Sequence, residues 1–594
     1  MSTLTEPDTE TNTQTGTDIE TSTLSETNDE TSDATAATAS DTLDETDTGM
    51  EGLCTPGDIR CFGQIIFKCN EFGTKWVQQE DCQQSHTVCA AGVCQDISLE
   101  CASAINSNSY IGCEYYATTL ANSYLNFQND GTPRAGSPFF FAVVLANDSS
   151  QDAQVRITDG PSGDVDYDYV VKAGDVLTVD NLPWKFEVKE PFTGGPKNEE
   201  RAYASRLVKN GVYHIKSSHP ITAYQFNPLD YKIGDYYSYT NDASLLLPSH
   251  VYRSHYIAMT RPTWKTIGTS LGGTSIKPGF LAVLGTEEGI TTINVEYTAN
   301  TYPSDGLSTR PIGGAVPNLK ASIAIEPFEV LQILASAPSG CPGQTTCGAT
   351  GVGCCEVSAD YDLTGTQIQV TSGPNPAVFA GADCVFIPFD NFACDHIEQQ
   401  MFPYESWGFR YACGHHVEQT DKEPSVFRIY SNEDANTITF DPSSVYPTTI
   451  LGKGDYIELQ TTANFIVTGT DKLAVAQFMV SASPHDHGDP AMSLVVPIEQ
   501  YRKNYSFLAP DSFLKNYITV IHRIGEIPVL DGTPIFGDTV EINGEYARTN
   551  LEINGGIHFI ESSEYFGLTV YGIGRYTSYM YPGGLDLVKI DAPI

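Results

Sequence analysis

The sequence has no apolar run near the roughly 20 residues needed to span a bilayer. The longest, Phe139 to Ala146, is the size of a strand, which excludes a membrane helix. Basic residues are also scarce, 32 Lys and Arg against 74 Asp and Glu, for a net charge of −42. Such a surface repels phosphate backbones and anionic headgroups, so nucleic acid and membrane surfaces are poor partners. The N-terminus has neither a basic n-region nor an apolar h-region, so no export signal is visible. No long amphipathic helix is written anywhere. What is plentiful is Gly, Tyr, Phe, Thr and Pro, which suits short strands joined by turns.

Residues 1–50 hold Thr, Ser, Asp and Glu almost exclusively, without Lys, Arg, Cys or an aromatic residue. A segment of this kind cannot bury enough apolar surface to offset its entropy, and it reads as a disordered acidic linker or stalk. Composition then changes abruptly. Cys54, Cys61, Cys69, Cys82, Cys89 and Cys94 crowd residues 51–97 around a minimal core of Phe62, Ile65, Ile66, Phe67 and Trp76. Three disulfides are the expected staple, in a connectivity the spacing does not choose. Zinc would prefer paired C-x-x-C knuckles, and the segment has none. Cys101 and Cys113 are expected to form a further local bridge. Fifteen cysteines in all point to an oxidising compartment, and so to an extracellular or outer-surface location.

From residue 98 the chain reads β throughout, with an internal repeat. Pro220-Ile-Thr-Ala-Tyr-Gln-Phe226, Leu245-Leu-Leu-Pro248 and Tyr256 return as Leu473-Ala-Val-Ala-Gln-Phe478, Leu494-Val-Val-Pro497 and Tyr505. A looser copy lies between them: Pro376-Ala-Val-Phe379, Gln400-Met-Phe-Pro403, Trp407 and Tyr411. Short strands with period-2 stretches and turn residues between them are the mark of a sandwich or barrel. The expected fold is all-β: tandem β-sandwich modules over 98–270, 271–416 and 417–510, then a partial fourth over 511–594. In each long copy an aromatic follows the Pro at offsets of four and eight. Those rings (Tyr252 and Tyr256, Trp407 and Tyr411, Tyr501 and Tyr505) are expected to be buried caps of their sandwiches.

No catalytic constellation holds up. Gly268-Thr-Ser-Leu-Gly272 has the nucleophile-elbow pattern, but Lys277-Pro-Gly279 and a strand follow where that mechanism needs a helix. Asp164, Asp166 and Asp168 share one face of a strand and are a weak calcium candidate. A solvated, charged strand edge is the plainer reading. His485-Asp-His487 with Asp489, and Cys394-Asp-His396 with Cys413-Gly-His-His416, read as structural loops rather than metal sites. No cofactor is indicated. Seven cysteines in the second module (Cys341, Cys347, Cys354, Cys355, Cys384, Cys394 and Cys413) cannot all pair internally. One is therefore free, reaches another module or bridges two chains. Cys384–Cys394 is the preferred local pair, and adjacent Cys354 and Cys355 do not suit each other. Tyr231, Tyr236, Tyr237 and Tyr239 are the best binding candidates, because Tyr gives large amphipathic contact area at low entropy cost. Packing between modules is the competing role for these rings.

The Ser-x-x-Pro strand with Leu-Leu-Leu-Pro248, the stretch Cys394-Asp-His-Ile-Glu-Gln-Gln-Met-Phe-Pro403 leading to Trp407-Gly408, and Tyr576-Thr-Ser-Tyr-Met-Tyr-Pro-Gly-Gly584 together resemble the IgGFc-binding protein N-terminal domain, over roughly 135–590. The acidic leader with a small cysteine module resembles exported surface proteins of myxobacterial type. The resemblance implies an extracellular binding or adhesive role toward protein or glycan, without catalytic residues. An envelope spacer without a ligand, and a hydrolase with a site assembled between modules, are the rival readings.

Overall fold

Period-2 alternation sets the outer sheet faces. In Ala153–Thr158 the residues Ala153, Val155 and Ile157 are buried while Gln154 and Arg156 are exposed, as a strand with one wet face requires. The continuous apolar run upstream becomes Phe141–Asn147, buried at every position. The computed structural model describes residues 49–51, 54–85, 88–95, 97–123, 138–194, 201–267, 275–341, 343–347, 352–355, 357–417, 423–482 and 487–591. The acidic linker as far as residue 48, the Gly268–Gly272 motif, and His485 with Asp486 lie outside the described residues.

Four repeats share one topology. Each opens with a short strand: Gly112–Ala117, His255–Ile257, Arg410–Cys413 and Arg502–Ala509. Each closes with another: Ala243–Leu246, Asp395–Gln400, Met492–Leu494 and Ser578–Pro582. In repeat 2 one sheet runs in the order His255–Ile257, Gln367–Ser372, Thr291–Glu296, Lys320–Ile325. The other runs Val330–Leu334, Gly279–Leu284, Ala377–Val385, Asp395–Gln400, and the pairs are antiparallel. Repeat 3 has the same two orders. In repeats 1 and 4 the two central strands are fused into Tyr213–Phe226 and Gly556–Ile573. The first half of each pairs in one sheet and the second half in the other. The strand Arg206–Val208 of repeat 1 adds to the edge of repeat 2 by pairing with Val330–Leu334.

Two expectations are corrected here. Strand pairing starts new sandwiches at His255, Arg410 and Arg502 rather than at 271, 417 and 511. The Pro-aromatic segment after each closing strand belongs to the next sandwich. The fourth copy, expected as partial, has both of its sheets.

The closing strands pack against one another in a cycle, first to second, second to third, third to fourth and fourth back to first. At the start of this cycle Asp242 is fully buried. Its Oδ1 accepts N–H bonds from Ala243 (2.9 Å) and Met580 (3.2 Å), and its Oδ2 from Glu398 (3.0 Å) and Met492 (3.2 Å). One carboxylate thus receives a backbone donor from every repeat. Burial raises its pKa, the Glu398, Ala243 and Met580 N–H donors oppose the rise, and the Glu398 carboxylate adds to it. The cycle is sealed at the far side, where Tyr110 donates to the Leu585 carbonyl (3.2 Å) and Leu587 to that of Asn108 (2.7 Å).

Pro248, Pro403 and Pro497 each precede a single 3-10 turn, as residues without a donor do at a strand exit. The six aromatic rings that follow are all buried. Their job is at the joint between sandwiches. The Tyr256, Tyr411 and Tyr505 hydroxyls each accept the backbone N–H three residues upstream, at 3.1, 3.1 and 2.9 Å. Tyr115 does the same for Gly112 at 2.7 Å. The Tyr115, Tyr411 and Tyr505 hydroxyls also donate to the Ile221, Leu473 and Phe566 carbonyls. One hydroxyl therefore ties the opening strand to the chain that crosses between sheets.

In the small N-terminal module the disulfides are Cys54–Cys69, Cys61–Cys89 and Cys82–Cys94, around buried Ile66, Phe67 and Trp76. Cys101–Cys113 joins a helix, Leu99–Ser107, to the opening strand of repeat 1. That helix is capped by Ser98, whose side chain accepts the Cys101 N–H at 3.1 Å, and it ends at left-handed Asn108. The remaining bridges are Cys341–Cys355, Cys347–Cys354 and Cys384–Cys394, and Cys413 is a buried free thiol.

Candidate binding site

Because N–H groups from all four closing strands meet at Asp242, the loops leading into those strands emerge at one end of the ring. The loop of repeat 1 carries the tyrosines. Lys232–Ile233 and Tyr236–Tyr237 form a small hairpin, with Ile233 opposite Tyr236 and a two-residue turn of Gly234 and Asp235. Gly234 has φ +61°, and glycine at the first turn position matches a type II′ hairpin.

The turn throws Tyr236 outward, half exposed, and brings Tyr237 back over the loop. Tyr237 meets Tyr239 at 5.7 Å between ring centres and Tyr576 at 5.8 Å; Tyr239 meets Tyr576 at 5.6 Å. Tyr576 comes from the corresponding loop of repeat 4. Cations lie over these rings: Lys232 at 5.2 Å from Tyr237, and Arg575 at 5.2 Å from Tyr576 and 6.0 Å from Tyr237. Tyr239 and Tyr576 both sit in the left-handed region, at φ +58° and +65°. That costs a bulky side chain about 1–3 kcal/mol each, and strain of this kind gathers at ligand sites.

Tyr231 has a different role from the other three. It is 8% exposed and packs on Phe513 at 5.7 Å, so it supports the hairpin from below. The sequence reading missed Arg575 and Tyr576 as site residues because their proximity to Tyr237 depends on ring closure.

A concave site lies where repeat 1 meets repeat 2. A cavity of about 410 Å³ is lined by Arg156, Asp166, His214, Lys216, Glu287 and Phe328, among others. His214 is buried, with Nε2 2.8 Å from Glu114 Oε1 and its ring stacked on Tyr116 at 4.5 Å. Burial alone would raise the Glu114 pKa. The hydrogen bond and charge of His214, then Ser249 and Lys216, bring it down to about 2.

The calcium candidates do not converge. Asp166 is held by Arg156 through two hydrogen bonds of 2.7 and 2.9 Å. Among the described residues, Glu114, His214 and Glu287 are the only metal-type group of three, so Asp164, Asp166 and Asp168 form none. Cys394 is in a disulfide, and His396 is buried against Glu398 at 3.2 Å.

Four antiparallel sandwiches thus close into a ring, and the aromatic loops of repeats 1 and 4 meet at one end of it. A sequence profile described as IgGFc binding protein matches residues 242–572, more than half of the chain, and the chain belongs to that family. The match begins at Asp242, just before the closing strand of repeat 1, and ends within the long strand of repeat 4. No curated protein and no solved structure matches the chain. Among the described residues no helix is long and apolar enough to cross a membrane.

Proposed function

We propose that this is an extracellular, non-enzymatic binding protein that recognises protein or glycan partners through the tyrosine loops. The observation that carries the reading is the pair of left-handed tyrosines, Tyr239 and Tyr576, strained so that rings from two repeats meet beside Arg575. Among the described residues of the corresponding loops of repeats 2 and 3, no residue other than glycine has a positive φ. Aromatic rings with an adjacent guanidinium offer flat faces for sugar C–H groups and anchors for protein side chains. The seven disulfides among the described residues fit an oxidising, extracellular setting.

The test is to screen the full chain against arrays of envelope glycans and extracellular proteins, then repeat with Tyr237→Ser combined with Tyr576→Ser. A hit that weakens about thirtyfold or more, the size of a central hot spot, supports the reading. Hits untouched by the double substitution would move the site elsewhere. No hit at all would favour a spacer.

A further inference from the structure

We propose that His214 and Glu287, with Glu114 behind them, form a binding site for a divalent ion of the zinc type, in the cavity between repeats 1 and 2. His214 is fixed on every side. Tyr116 stacks on its ring with planes 4° apart, Phe328 meets it at 5.9 Å, and Glu114 Oε1 lies 2.8 Å from Nε2. Glu114 is held in turn by the Ser249 hydroxyl at 2.6 Å and that of Tyr116 at 3.3 Å.

A carboxylate on one imidazole nitrogen places the proton there and leaves the other as a lone pair. This is the arrangement that orients ligating histidines. The other nitrogen, Nδ1, makes no hydrogen bond and faces Glu287 Oε2 at 3.6 Å. His214 Nδ1 and Glu287 Oε2 thus stand as two possible ligand atoms on either side of a gap. Two ligands about 2.1 Å from one tetrahedral ion stand about 3.4 Å apart, close to this separation. The remaining coordination positions open into the cavity, where water or a partner's carboxylate or imidazole can fill them. Imidazole paired with a single carboxylate suits zinc, copper or nickel better than calcium, which takes six or more oxygens.

Lys216 is the competitor. Its Nζ lies 2.7 Å from Glu287 Oε2 and 3.9 Å from Glu114 Oε1, so an ammonium stands where the ion would. The side chain is 58% exposed and can swing away at little cost. Its presence sets the sign of one variant: removing it should strengthen metal binding, whereas a lysine that merely braces the junction would leave metal binding unchanged. The ion would join His214 of repeat 1 to Glu287 of repeat 2 and leave open coordination positions in the cavity wall.

The experiment titrates zinc chloride into the full, chelator-treated chain by calorimetry. Excess magnesium occupies the diffuse acidic surface, and cobalt absorption reports nitrogen ligation. The expected result is one equivalent bound by the wild type, weakened more than about tenfold in Glu287→Gln. In Lys216→Met the binding should be at least about tenfold tighter, as removal of a direct charge competitor warrants. Both altered side chains are half exposed, so folding is not at stake. Two results overturn the proposal: no saturable equivalent in either the wild type or Lys216→Met, or binding that Glu287→Gln leaves unchanged.

Discussion

Asp242→Asn is the sharpest perturbation available in this fold. It keeps the volume and one acceptor oxygen, and replaces the other oxygen by an amide that donates. Two of the four N–H groups on the carboxylate then lose their partner and face another donor. A buried donor left unsatisfied costs about 1–3 kcal/mol, so the substitution should cost about 2–6 kcal/mol. That is a large part of the 5–15 kcal/mol typical of a folded protein. Whichever oxygen is lost, donors from at least one other repeat are stranded, so the loss should appear in the ring as a whole. The assay is urea unfolding of the non-reduced full chain, followed by tyrosine and tryptophan fluorescence and by limited proteolysis between repeats. Asp164→Asn, at an exposed aspartate, is the control. A loss under about 1 kcal/mol, or cleavage confined to repeat 1, would refute the idea that one carboxylate ties four repeats together.

Three further outcomes are expected. Tyr505→Phe deletes only the hydroxyl that serves Arg502 N–H and the Phe566 carbonyl, and should cost about 1–3 kcal/mol, against about 3–5 for Tyr505→Ala; equal losses would mean the hydroxyl does nothing. His416 is buried with neither ring nitrogen hydrogen-bonded; burial first, then the His415 and Arg548 charges, lower its pKa from 6.5 to about 3. The unfolded chain therefore binds a proton that the folded one refuses, and stability should fall by about 1.4 kcal/mol per pH unit below 6.5 from this group alone. His416→Phe should lose that share, read as a smaller drop in urea midpoint between pH 7 and 5.5. Thiol labelling of the non-reduced chain should modify one cysteine, Cys413, and only after unfolding; labelling at Cys341 or Cys355 in its place would show different pairing.

The repeat was legible because each sandwich needs the same apolar strands and the same donor-free Pro at its exit. Tyr256, Tyr411 and Tyr505 stood out for that reason. Tyr115 did not, because its repeat begins after a helix and has no Pro eight residues before it. The position corresponding to that Pro is met at the other end of the chain, near Leu585, which only ring closure brings alongside. The module boundaries were misplaced for a related reason, since a period in sequence does not say where its unit starts. The tyrosine hairpin was visible as composition. Its partners Arg575 and Tyr576, and the meeting of Glu114, His214 and Glu287, depend on contacts between residues far apart in the chain, which no local spacing records.

The seam of the ring has a consequence for how the protein is presented. All four closing strands begin at the Asp242 end and run away from it, toward Pro248, Pro403, Pro497 and Leu585. The seam between Asn108 and Leu587 is therefore at the opposite pole from the tyrosine loops. The disulfide-stapled module enters the ring at that same pole, through the helix that ends at Asn108. The disulfide-stapled module and the strained tyrosines thus lie on opposite sides of the ring.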